Sequence, residues 1–102
     1  MKKFYSFEVT QEKVILNGIE KDEEKDTDPF IVPVYEENER DAISQAIVSL
    51  LNMMYMNMEK EDSISEVIVE GNNLIFKGTD QGRDLVCINT FKVSESNFIH
   101  FK

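Results

Sequence analysis

Residues 4–10 read Phe-Tyr-Ser-Phe-Glu-Val-Thr, an alternation that puts Tyr5, Phe7 and Val9 on one face and Ser6, Glu8 and Thr10 on the other. A period of two marks a strand with one buried face. Gln11-Glu12-Lys13 interrupts the alternation before Val14-Ile15-Leu16, and the break predicts a first hairpin of two strands. Asn17-Gly18 is a tight-turn pair. Ile19-Glu20-Lys21-Asp22 makes a poor partner strand, so that pair is expected to stop the second strand or to form a bulge. Residues 30–35, Phe-Ile-Val-Pro-Val-Tyr, are apolar and β-branched, but Pro33 has no N–H. The segment is therefore confined to an edge strand or to an extended stretch lying on the core.

The period then lengthens. Ile43, Ala46, Ile47, Leu50, Leu51, Met54 and Met58 recur at steps of three and four, which predicts an amphipathic helix over residues 39–58. Asn38 suits its N-cap, and Glu39 and Asp41 fall in the first turn, where negative charge meets the positive end of the helix dipole. Val48, Tyr55 and Met56 point away from the stripe, so either residues 30–35 or a partner is expected to cover them. Beyond the charged break at 59–62, strand-like runs at 64–70, 74–77 and 84–93 are separated by turn residues at 71–73 and 78–82, and residues 98–101 are expected to close the sheet. The pattern predicts one α+β domain spanning residues 1–102, with one long amphipathic helix packed on one face of an antiparallel β-sheet and the order β-β-(β)-α-β-β-β.

Charge adds a second theme. Residues 20–41 hold ten of the twenty carboxylates against three bases, a net −7 within a chain of net −9. Eight of the nine residues from 20 to 28 are charged, so residues 20–29 are expected to form an exposed acidic loop. Residues 59–70 add a net −4, and the remainder is mildly positive. Concentrated negative charge disfavours direct contact with nucleic acid or an acidic membrane and favours a basic protein partner.

Composition excludes several chemistries. Cys87 is the single cysteine, so no intramolecular disulfide can form, and its apolar neighbours predict a buried, inert thiol of a reducing cytoplasm. The first residues have no apolar core of signal-peptide length, and no run approaches the roughly 18 residues of a membrane span. Zinc is not expected, because Cys87 and His100 stand alone, and His100 reads as structural or exposed. Asp22, Glu24, Asp26 and Asp28 are spaced as in a calcium loop but lack its central glycine and closing glutamate. The glycine pair in 78–82 has no following Lys-Ser or Lys-Thr and reads as a hairpin turn, not a phosphate loop. Glu36 and Glu37 have no hydrophobic pocket to separate their pKa values. No enzyme activity and no cofactor is expected.

These features predict a non-enzymatic acidic protein-binding domain, in its sharpest form an inhibitor whose carboxylates, those at 59–62 included, imitate nucleic acid and occlude a basic groove of a DNA- or RNA-handling protein. The chain resembles phage-encoded acidic inhibitors of host DNA enzymes and defence nucleases in size, charge and compactness, and no motif carries that likeness. Two alternatives stay open. One is a self-associating accessory domain, a homodimer joined through the Met/Tyr side of the helix or through residues 98–101; the other is an immunity protein that neutralises a toxin. The expected contacts are Asp22, Glu23, Glu24, Asp26 and Asp28, then Glu36, Glu37 and Glu39, with Tyr35 and Tyr55 as aromatic anchors.

Overall fold

Fourteen residues, Lys3–Leu16, form one continuous strand, β1, in the computed structural model of this protein, which describes residues 1–21 and 29–95. The hairpin expected at Gln11-Glu12-Lys13 is instead a bulge, where the register of β1 against its neighbour shifts between Gln11 and Lys13. Those three residues include no Gly, Pro, Asn or Asp to turn the chain, and an extended backbone absorbs the broken alternation by inserting one residue. The bulge changes the phase of the strand. Tyr5, Phe7 and Val9 are buried before it, and Leu16, at an even position, is buried after it.

Asn17 (φ 50°) and Gly18 (φ 78°) then form a two-residue turn into β2, Ile19–Glu20, which pairs with the end of β1 over only two positions. Both turn residues are left-handed, the conformation in which Asn-Gly closes a tight hairpin. The next strand, β3 (Phe30–Glu36), lies antiparallel along the first half of β1, with Pro33 opposite Ser6. Among the described residues β1 is its single partner, so Pro33 lies in an edge strand, as its missing N–H requires.

Helix α1 spans Glu39–Asn57. Asn38 caps it: its Oδ1 accepts from the Asp41 N–H at 2.9 Å, and its Nδ2 donates to the Asp41 carboxylate at 3.1 Å. The remaining strands, β4 (Ile64–Glu70), β5 (Asn73–Asp80) and β6 (Arg83–Glu95), form an antiparallel meander, and β6 returns beside β1. The six-stranded sheet runs β2-β1-β6-β5-β4, with β3 on the same side of β1 as β2. The turn expected over 78–82 narrows to Gln81-Gly82, and Gly78 lies inside β5. Its backbone passes against that of Ser63 and Ile64, and the Thr79 N–H donates to the Ser63 carbonyl at 2.9 Å.

The core lies between α1 and one face of the sheet. Ala42 and Ala46 have no exposed surface, so the first half of the helix seats close to Tyr5, Phe7, Val32 and Val34. Phe7 stacks on Phe91 with ring centroids 5.1 Å apart. Ala42, absent from the predicted stripe, is as central as Ala46, because a small side chain is what a close helix-to-sheet approach requires. Residues 30–35 do not cover the outer side of the helix, since they belong to the sheet beneath it. Val48, Tyr55 and Met56 therefore stay exposed, Met56 at 84%. The acidic positions 22–28 and the run at 98–101 lie outside the described residues. Among the described residues no helix is long and apolar enough to cross a membrane.

Candidate functional site

Along α1 the residues facing the sheet grow larger: Ala42, Ala46 and Leu50 are buried, and Met54 packs against that core from its edge. Alanines permit close approach in the first half of α1, whereas the long side chains of the second half border open space. The space left open is a groove of about 460 Å³. One wall is Leu50, Met53, Met54 and Met58 of the helix; the other is Val9, Phe76 and Leu85 of the sheet, with Phe30 at the start of β3. Methionine suits such a wall, because its unbranched, polarizable side chain adapts to more than one occupant.

The polar groups that reach the groove are Gln11, Asn57, Asp80, Cys87 and Asn89. Most are engaged within the chain. Asn89 Nδ2 donates to the Leu74 carbonyl at 3.0 Å, and Asn57 Nδ2 donates to the Met53 carbonyl at 2.9 Å. Asp80 lies 3.6 Å from the Arg83 guanidinium in a half-exposed pair of the kind that contributes little to stability. The Cys87 thiol faces Asn89 Oδ1 at 3.7 Å, and burial pushes its pKa up, against a smaller opposing effect of that contact, so the thiol stays protonated and unreactive near neutral pH.

The groove has a sign. Among the described residues its lining holds no base and one carboxylate, Asp80, whose charge Arg83 offsets from just outside the lining. The C-terminal turn of α1, which supplies Asn57 and Met58, carries no basic residue to offset the negative end of the helix dipole.

The structure separates the expected anchors. Tyr35 lies on the face of the sheet away from α1, stacked on Phe4 with centroids 4.5 Å apart and 5.9 Å from Lys2 Nζ. Tyr55 is on the helix, where its hydroxyl donates to the Ile64 carbonyl at 3.2 Å. Glu36 ends β3 opposite Lys3, and Glu37 and Glu39 are exposed where α1 begins. Glu39 and Tyr55 are about 24 Å apart along the helix axis. Asp22, Glu23, Glu24, Asp26 and Asp28 lie outside the described residues.

Asp62 departs from the expectation that the carboxylates at 59–62 form one exposed contact. It is buried, and accepts from the Gln81 N–H at 2.8 Å and the Gly82 N–H at 3.3 Å. It fastens the approach to β4 onto the β5–β6 turn. The Gln81 N–H is the main cause of a lowered Asp62 pKa; burial opposes the shift, while Gly82, the Thr79 hydroxyl and Arg83 add to it. Since the folded state favours the charged form, the clasp contributes fully above the usual carboxylate value of 3.8 and fades as pH falls through the lower folded value. Asp62→Asn is thus expected to destabilise the protein at pH 6, with the gap to the parent closing below that value, read from urea midpoints at both pH values. A gap unchanged by acid would contradict the charged clasp. Nothing local in the sequence signals this role, because the partners lie 19 and 20 residues away.

Comparison with known proteins finds no matching family model, no matching curated protein and no matching solved structure. The groove and its charge therefore carry the functional reading alone.

Proposed function

We propose that this protein is a non-enzymatic binding domain that holds an amphipathic, basic segment of a partner protein in the groove between α1 and the sheet. The observation that supports this most is an apolar lining beside a helix end of negative sign: methionine and aromatic walls, a last helical turn without a basic residue and, among the described residues, no base in the lining. An apolar face of the partner fills the groove, while its Lys and Arg residues meet the helix end and compete with Arg83 for Asp80. Contacts of the first kind set affinity, and those of the second mainly speed association and make it sensitive to salt. Inhibition of a nucleic-acid-handling protein is one form of this activity, since cations that hold phosphate are the ones such a surface attracts. The polar groups around the groove are hydrogen-bonded or ion-paired within the chain, which favours binding over acid–base or nucleophilic chemistry.

Two designed helical peptides test this reading, sharing one apolar face and carrying either Lys or Glu on the other. The Lys peptide is expected to shift amide resonances of Phe30, Met53, Met54 and Leu85 and to bind about tenfold more weakly when salt rises from roughly 50 to 300 mM. Met53→Lys places a cation on the groove wall at a position already 42% exposed, and should remove binding while leaving the fold intact. Equal binding of both peptides, or shifts confined to other surfaces, would overturn the proposal.

A further inference from the structure

The sheet extends beyond its helix. Because α1 rests chiefly on β1, β3 and β6, the last strand, β4, lies to one side of it, and among the described residues nothing pairs with the outer edge of β4. The register against β5 fixes which backbone groups that edge presents. Glu70 faces Asn73 across the two-residue turn Gly71-Asn72, and the pair flanking such a turn exchanges hydrogen bonds. Ile68 and Glu66 therefore bond toward β5, whereas Val67 and Val69 turn their N–H and C=O groups outward. The Phe91 N–H donates to the Asn72 carbonyl at 2.9 Å on the other side of the hairpin, in the same phase. At the start of β4 the Ile64 carbonyl accepts from the Tyr55 hydroxyl at 3.2 Å, so the open edge begins after it.

The side chains of Val67 and Val69 point to the helix side of the sheet. Val67 packs on the core, while Val69, 49% exposed, borders a groove of about 460 Å³ whose other wall is Ile43, Ser44 and Ile47 of α1. We infer that this edge takes up an extended segment of a partner protein as an added antiparallel strand, with apolar residues opposite Val67 and Val69 and a Lys or Arg opposite Glu70. Backbone pairing holds the segment, and the groove receives the side chains that stand beside Val67 and Val69. Charge selects a foreign strand over a second copy. β4 carries Glu66, Glu70 and no base, so two copies paired edge to edge bring together like charges alone, and β3, at the far side of β1, offers Pro33, Glu36 and no base either. Lys77 stands opposite Glu66, but Glu70 faces the neutral Asn73, and Glu39 and Arg40 at that end of the groove cancel. Glu70 is therefore the carboxylate that a base on the added strand meets. This edge shares no lining residue with the groove beside Phe30 and Met53.

A capped peptide containing Lys-Val-Thr-Val-Thr, in which Lys falls opposite Glu70 and the two valines opposite Val69 and Val67, tests the inference on the full chain by amide exchange. At ten times its Kd the peptide is expected to slow exchange of the Val67 and Val69 amides at least ~10-fold, with the resonances of Met53 and Leu85 unmoved. The same peptide N-methylated at both valines lacks the donors that reach the edge carbonyls and should bind at least ~10-fold more weakly. Glu70→Lys, with a melting temperature near that of the parent as a check on folding, should weaken the Lys peptide about 3-fold and strengthen its Glu counterpart by a similar factor. No protection at either amide up to about 2 mM peptide, equal binding by the N-methylated form, a charge preference untouched by Glu70→Lys, or protection that grows with protein concentration in the absence of peptide would each overturn the proposal.

Discussion

Replacing Phe7 by alanine is expected to lower the unfolding free energy by about 3–5 kcal/mol. Its side chain has no exposed surface, stacks on Phe91 at 5.1 Å and belongs to the cluster that includes Ala42 and Ala46. Removing the ring forfeits its transfer from water and leaves a cavity that the paired strands on either side of β1 are too constrained to close. Against a typical total of about 5–15 kcal/mol, such a loss leaves a protein that is marginal at room temperature. Urea denaturation with an unchanged slope is the measurement. Tyr35→Ala is the control, since that ring is 51% exposed on the outer face and should cost less than about 1 kcal/mol. If both substitutions cost the same, the helix-to-sheet core is not organised around Phe7.

Gly78→Ala is expected to be the next most damaging change, at about 2–3 kcal/mol. A methyl group there would overlap the Ser63 carbonyl oxygen and come within 2.8 Å of Ile64 Cα, and both neighbours are backbone. To make room, the start of β4 would have to lift from β5, stretching the hydrogen bonds from Thr79 N–H to the Ser63 carbonyl (2.9 Å) and from Ser63 N–H to Thr79 Oγ1 (3.2 Å). Gly71 provides the contrast. It has φ +60° and open space where a methyl group would sit, so Gly71→Ala carries the left-handed backbone penalty of about 1–2 kcal/mol without any collision. Amide exchange separates the two effects: Gly78→Ala should lose protection at Ile64 and Thr79 while retaining it at Phe7 and Phe91. Unchanged protection at Ile64 and Thr79 would contradict this account.

Much of the architecture was legible because local pattern and tertiary role agree. Tyr5, Phe7 and Val9 alternate and are buried; Asn38 precedes a three-and-four stripe and caps a helix; Pro33 marks an edge. Expectation and structure part where one local signal admits two tertiary outcomes. A broken alternation at residues 11–13 is compatible with a turn or with a bulge, and the choice depends on whether β6 is present to hold the strand straight. Gly78 reads as part of a turn because its reason for being glycine, the backbone of Ser63, lies fifteen residues earlier in the chain. The methionines of α1 draw notice in the sequence for the side they leave exposed, whereas Met53, Met54 and Met58 line a groove on its flank. The increase from Ala42 and Ala46 to Leu50 and Met54 was the signal that could have revealed it.

By itself the sequence determined the class of fold, the helix and its cap, the antiparallel meander and the concentration of negative charge between residues 20 and 41, all consequences of periodicity and composition that act over a few residues. Tertiary structure alone decided that Asp62 is a clasp and not a surface charge, that Tyr35 and Tyr55 face different surroundings, and that a groove opens beside Phe30 and Met54. Each of those depends on which distant segments approach one another. Side-chain size and charge are written along the chain, but the space they enclose exists once the helix is laid on the sheet.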